Sequence, residues 1–305
     1  MVTRHGHEGV VWVDLEAPTR EELASVIREF SLDPRIEEEM VAPSPYPLTV
    51  TFPGYAFVVL HFPSPVDKNV THDQEIDIVV GKHFVITGRY ETVSPLHNLH
   101  KIFETEELLG AFSEERRADV MLARLFERYF ASIRGEVESA GSSLGRAERD
   151  IFDGFERDMV RSLSLIGREL LHYGGILERQ RDTLVDFLDS LSDSRFFGAA
   201  FEPSKRAILA EHAKTAHLVS TYRAMLVELR GTNDSLLATK QNDIMTRLTI
   251  MALVTFPLSL IAAIFGMNTH YLPIVGMPGD FWIITGTMAA LMTCFFVYFK
   301  VKRWL

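Results

Sequence analysis

Two uncharged apolar runs, 248–265 and 281–299, lie near the end of this 305-residue chain and leave it few ways to fold. Each is about long enough to cross a hydrocarbon core of roughly 30 Å at a helical rise of roughly 1.5 Å per residue. A core helix of a soluble domain carries a polar, solvated face, and neither run has one. The second has only Thr285, Thr287, Thr293 and Tyr298 as polar residues. Trp282 and Tyr298 stand near its two ends, where aromatic rings favour the membrane interface. The expectation is a membrane hairpin.

Lys and Arg stay on the cytoplasmic side of a membrane more reliably than any other residues. Lys240 and Arg247 precede the first run, Lys300, Lys302 and Arg303 follow the second, and the connecting segment 266–280 has neither residue type. Both termini are therefore expected in the cytoplasm, with 266–280 outside. The N-terminus has no apolar run that would serve as a signal peptide, so export of the large preceding region is not expected. The single cysteine, Cys294, falls inside the second run and implies no disulfide framework.

With 41 acidic against 31 basic residues the net charge is −10, and the uncharged runs place nearly all of it in the cytoplasmic part. That balance disfavours nucleic acid as a partner. Acidic surface can serve solubility or draw divalent cations toward a pore mouth, and composition does not choose between them.

Residues 1–112 read as a small α/β domain. Val10-Val11-Trp12-Val13-Asp14-Leu15 is strand-like. A helix then opens with Thr19 as N-cap and Glu22 at its third position, the pattern of a capping box. Further strands are expected at 48–52, 55–62, 75–80 and 83–87, punctuated by Pro53-Gly54 and Gly81-Lys82, with a helix over about 95–108. Residues 113–202 form a helical region. Leu122, Leu125, Phe126 and Tyr129 recur at the spacing of one helical face, and breaks are expected near Gly154 and between Ser190 and Pro203. After Pro203 no proline occurs until Pro257, so a stalk helix over 203–265 would run on into the first span. Pro257 removes one backbone donor and frees the carbonyl of Leu253, as a harmless kink or as a hinge.

Along the first span, Asn242, Met245, Thr249, Ala252, Phe256, Ser259, Ala263 and Gly266 follow one another in steps of three and four, a heptad seam. In a parallel bundle such a seam faces the axis. Its alternation of apolar and small residues suits an ion path with a hydrophobic gate, since apolar constrictions close by dewetting. The competing reading is a helix-dimer seam packed through the same small residues. One chain with two spans cannot enclose a channel alone, which favours an oligomeric pore.

Phe265-Gly266-Met267-Asn268, placed directly after the first of two C-terminal spans, resembles the signature of the CorA magnesium channel family. Met-x-x-Leu-Thr at 245–249, Pro-Leu-Ser at 257–259, the terminal Lys-x-Lys-Arg-Trp-Leu and the N-terminal Trp-Val-Asp-Leu are also similar to that family. So are Val-Leu-His-Phe-Pro at 59–63 and Val-Gly-Lys-x-Phe-x-Ile-Thr at 80–87, so the likeness covers essentially the whole chain. The resemblance implies an α+β membrane protein of the cell (inner) membrane. It would form a homopentameric funnel with a cytoplasmic α/β domain, five stalk helices lining a pore and an outer ring of second spans.

Magnesium is small and releases its water reluctantly, so neutral oxygens that hydrogen-bond its hydration shell suit a selectivity ring better than carboxylates. On that reading Gly266, Met267 and Asn268 form the filter, with five Asn268 side chains and the Gly266 carbonyls holding hydrated Mg2+ as cargo. No cofactor is implied. Asn242 supplies a second amide ring, and Met245, Leu248 and Phe256 narrow the path between the two. Gly266 also has a purely structural reading, as a helix C-cap glycine.

The chain departs from the family pattern in two places. No acid follows Asn268 in Thr269-His270-Tyr271-Leu272-Pro273, and the only carboxylate of the loop is Asp280. Ala207 and Gly231 stand where magnesium-sensing acids occur in some relatives, leaving Glu211 and Glu228 as the nearest candidates for regulation. His270 as a ligand would suit cobalt, nickel or zinc, although a lone loop histidine is more often a bystander. A zinc-transporting relative, proton-coupled or not, is thus one alternative, and a non-transport oligomeric receptor or scaffold is another. An enzyme is not expected: neither His97 and His100 nor His212 and His217 have a neighbouring base or nucleophile in a motif, and no P-loop or paired-CxxC site occurs.

Overall fold

The computed structural model describes residues 1–7, 9–63, 73–90, 117–193, 195–267 and 273–302. They divide into two compact units, Met1–Arg230 and Gly231–Leu305.

In the first unit, strands β1 (Val2–His7), β2 (Val10–Glu16), β3 (Leu48–Thr51), β4 (Tyr55–Phe62), β5 (Gln74–Gly81) and β6 (Phe84–Arg89) form one sheet. Its order is β1-β2-β6-β5-β4-β3, with β2 and β6 parallel and every other pair antiparallel. Val13 and Leu15 of β2, Phe57 and Val59 of β4 and Ile86 of β6 point to one side of the sheet. There they form a core with Leu23, Val26 and Ile27 of α1 (Arg20–Glu29) and Ile36 of α2 (Pro34–Glu39). The opposite side lies under α3 (Ala118–Phe152) and α4 (Glu156–Leu191). Tyr129 of α3 packs edge-on against Phe62 and donates to the carbonyl of His61 at 2.7 Å. With both faces covered, β4 has no need of polar alternation, and YAFVVLHF is buried almost throughout.

The local signals act as their chemistry requires. Thr19 Oγ1 accepts from the amide of Glu22, and the Glu22 carboxylate accepts from the amide of Thr19, completing the capping box. Asp33 caps α2 by accepting from the amide of Arg35, with Pro34 at the first helical position. The break expected near Gly154 is there, with Gly154 at φ 99°, a left-handed conformation that glycine adopts without strain. The second expected break is a 3-10 turn, Gly198–Phe201.

Strand β1 had no counterpart in the expectations from sequence. It is an edge strand carrying Arg4, His5 and His7, with too little apolar alternation to announce itself, and it is held by its antiparallel register on β2. The helix expected over 95–108 lies outside the described residues, as does the boundary at 112.

Two charged groups are buried where the parallel strands meet. Arg89 donates to Asp14 at 2.8 Å, Thr87 donates to Asp14 at 2.6 Å, and the indole of Trp12 donates to Thr87 at 3.0 Å. This network ties β2 to β6 and explains why a charged residue sits inside Trp-Val-Asp-Leu.

Helix α5 is continuous over Glu202–Phe265 and contains Pro257, as expected from the absence of proline between 203 and 257. The second unit consists of its last turns, the connecting segment and α6 (Asp280–Val301). Both α5 and α6 are long and apolar enough to cross a membrane.

Candidate ion path

The two sides of α5 within the second unit differ. Asn242, Met245, Leu248, Thr249, Phe256, Ser259, Ala263 and Gly266 are exposed and Ala252 is half-buried, although Phe256 is a large apolar ring with 73% of its surface open. Ile250 is buried at 7% exposure, and Val254, Leu258, Ile261 and Phe265 are half-buried. At roughly 100° per residue, this second set lies about 170° around the helix from the seam. Helix α6 shows a matching stripe at Ile284, Met288, Leu291, Phe295 and Phe299. Between α5 and α6 runs a groove of about 710 Å³ lined by Arg247, Ile250, Met251, Val254, Thr255, Met292, Phe296 and Phe299. Helix α6 therefore covers the side of α5 away from the seam and leaves the seam free.

Two threonine hydroxyls of this span are satisfied within the helix. Thr249 donates to the Met245 carbonyl and Thr255 to the Met251 carbonyl, each at 2.8 Å. Thr249 is thereby held with its oxygen lone pairs available on the seam.

Gly266 continues the helical hydrogen bonding by donating to the Ala262 carbonyl at 2.9 Å. It directly follows Phe265, the last helical residue, as the C-cap reading expects, but without the left-handed φ. A Cβ there would stand 3.0 Å from the Ala262 oxygen of its own last turn, a tight contact. Met267, 56% exposed, is the last residue described before Pro273. Asn268 to Leu272 lie outside the described residues, His270 among them.

Asp280 is engaged locally. Its carboxylate accepts from the amide of Gly276 at 3.1 Å and from that of Phe281 at 2.7 Å, at the N-terminus of α6, where a negative charge is favoured. The only acid of the loop thus stabilises a turn and a helix end.

Of the candidate regulatory acids, Glu211 pairs with Arg134 of α3 and with Lys214 of its own helix, while Glu228 is exposed. Among the described residues, no group of three or more His, Cys, Asp and Glu side chains is placed to hold a metal ion. His212 is buried, takes part in a 2.9 Å hydrogen bond with the Leu177 carbonyl and packs edge-on against Phe130. Burial pushes its imidazole below the ordinary histidine value. It is a packing residue, whereas His217 is exposed, and His97 and His100 lie outside the described residues.

Sequence reasoning passed over a buried acid pair on β5. Glu75 and Asp77 are 4% and 1% exposed, and Glu75 accepts from the amide of Ser44 at 2.5 Å. Burial pushes Glu75 up to about 7, and burial together with the neighbouring Glu75 charge raises Asp77 well above the ordinary carboxylate range. The only signal was two acids two apart in EIDIVV, a strand otherwise apolar on both faces.

The sequence model of the family described as CorA-like Mg2+ transporter protein matches residues 7–303. The cobalt/magnesium transport protein CorA of Thermotoga maritima is 22% identical over 297 residues, covering 96% of this chain and 83% of the relative. That of Methanocaldococcus jannaschii is 20% identical over 312 residues, covering 97% and 92%. The solved complete structure of the CorA magnesium transporter from Methanocaldococcus jannaschii superimposes with a TM-score of 0.83 at 19% identity, covering 98% of this chain and 93% of that one. That likeness is one of fold, and it includes both C-terminal helices.

Proposed function

Since this chain belongs to the family of CorA-like Mg2+ transporter proteins, a family of transporters and not of enzymes, we propose that it conducts Mg2+ across the cell membrane as a homopentamer. The observation that carries this reading is the division of α5 into a side covered by α6 and an opposite side left open at every seam position but the half-buried Ala252. Five copies related by an axis on the open side would line a path with Asn242, Met245, Leu248, Thr249, Ala252, Phe256, Ser259 and Ala263. The same arrangement puts α6 on the outside.

In this arrangement the exposed Phe256 ring needs neither water nor lipid, because five such rings meet at the axis and form the apolar constriction. Met245 and Leu248 form a second narrowing toward the cytoplasm. Gly266, having no side chain, adds the least bulk where the helices meet at the outer mouth. Asn268 then presents a ring of neutral oxygens to the hydrated ion. An ion held through its water shell keeps its first-shell ligands and can leave, which conduction requires. The ion is cargo, and no cofactor is needed. With Asp280 held in the turn, it is the one carboxylate that each chain contributes to the field at the outer mouth. Both termini are cytoplasmic, in keeping with the basic residues that flank the spans.

The names of the relatives include cobalt, so the test compares metals. The full chain in liposomes is expected to pass Mg2+ with cobalt and nickel as slower cargo, and Asn268→Ala is expected to abolish the flux. Undiminished Mg2+ flux in that variant would remove Asn268 from the filter. Zinc uptake that depends on a pH gradient would point instead to the proton-coupled zinc reading.

A further inference from the structure

The groove between α5 and α6 lies on the side of α5 away from the seam, and its chemistry changes along its length. Its walls include Ile250, Val254, Phe296 and Phe299, with Met251 and Met292 as flexible thioethers that can adapt to an irregular chain. The hydroxyl of Thr255 is already bonded to the Met251 carbonyl, so the interior asks for no polar partner. At one end stands Arg247, the single charged group of the lining. Among the described residues no acid forms an ion pair with it, Asp243 one turn earlier included.

The helices run in opposite senses, and Ile250 and Phe299 share the groove. Arg247 lies one turn beyond Ile250, and Lys300 and Lys302 lie just beyond Phe299, so three cations gather at the cytoplasmic level of the two spans. From Arg247 to Thr255 the groove descends about 12 Å at the helical rise, close to the roughly 15 Å of one leaflet's hydrocarbon. Its volume of about 710 Å³ is that of a ligand site.

We propose that this groove is a binding site for an anionic phospholipid of the cytoplasmic leaflet, with an acyl chain between α5 and α6 and the phosphate at Arg247, supported by Lys300 and Lys302. Charge complementarity selects this occupant. A helix of a second copy would fill the apolar walls equally well, but the acid it carries at that level, Asp243, is one carboxylate against three cations. Basic pockets between spans at the cytoplasmic face are suited to anionic headgroups. The site rests on the two helices being membrane spans, but not on transport, and lipid retention tests it without measuring flux.

The full chain, purified from a membrane containing equal amounts of phosphatidylglycerol and phosphatidylcholine with identical acyl chains, would be analysed by native mass spectrometry for retained lipid. Phosphatidylglycerol is expected to be retained preferentially. Arg247→Gln should lower that preference about fivefold, the effect of removing one basic group near the surface, while Arg247→Lys keeps most of it. Val254→Trp, which fills the groove without changing charge, should lower retention of phosphatidylglycerol. Equal retention of the two lipids by the native chain would overturn the site, as would a preference unchanged by both Arg247→Gln and Val254→Trp.

Discussion

In the first unit the large apolar side chains are inside: Trp12 is 0% and Phe57 1% exposed, and the sheet that holds them is covered by helices on both faces. In the second unit they are outside: Phe256 is 73% and Trp282 75% exposed, and only one stripe on each helix is sheltered. The first is a soluble core completed by its own chain. The second is completed by lipid on its outer side and, in the proposed assembly, by other copies of the chain along the seam. The same residue type therefore has different work in the two units: phenylalanine holds the first together, and in the proposed assembly of the second it closes a path.

Substituting one phenylalanine in each unit is the strongest way to break that comparison. Phe57→Ala empties a buried site against α1 and is expected to destabilise the first unit by about 3–5 kcal/mol, read as a lowered unfolding midpoint of the full chain. Phe256→Ala is expected to leave that midpoint unchanged and to raise basal Mg2+ leak into liposomes, because it removes a constriction and no core. A Phe256→Ala chain that unfolds as easily as Phe57→Ala would show that the second unit has a core of the ordinary kind.

A smaller effect sharpens the comparison within the first unit. Glu75 is held protonated up to about 7, against 4.5 for the free side chain, with Asp77, Glu39 and the Ser44 amide facing it and His61 beside it. Between those values the folded chain binds a proton that the unfolded chain has released, so its contribution to stability is complete below 4.5 and is lost as pH rises through 7. Asp77 shifts in the same direction. Melting curves from pH 5 to 8 should show this decline, and Glu75→Gln should flatten it, with a gain at pH 8 of roughly 2–4 °C for each kcal/mol recovered. An unchanged slope in the variant would assign the pH dependence to other groups.

Much of the fold was legible because its signals are local. Thr19 and Glu22 name a helix start through two backbone amides that only they can satisfy, and the missing prolines between 203 and 257 permit one long helix. The heptad positions from Asn242 to Gly266 also emerge on one side of α5. What was not legible depends on partners distant in the chain. Strand β1 is specified by its register on β2, and α2 is only six residues long, although Asp33-Pro34 marks its start. The burial of Glu75 and Asp77 comes against the segment around Glu39 and Ser44, more than 30 residues away. Gly266 stands at the end of α5 as a C-cap glycine was expected to, but without the left-handed φ, a backbone detail that residue type alone does not fix.

The central claim is that one side of α5 lines the path and the other packs against α6, and thiol accessibility tests it directly. In the full chain with Cys294→Ser, single cysteines would replace Thr249 or Ala252 on the seam and Val254 on the opposite side. Mg2+ flux into liposomes would then be measured before and after a small charged thiol reagent. The account predicts block at Thr249→Cys and Ala252→Cys with flux through Val254→Cys unaffected. Block at Val254→Cys, with both seam positions indifferent to the reagent, would contradict it.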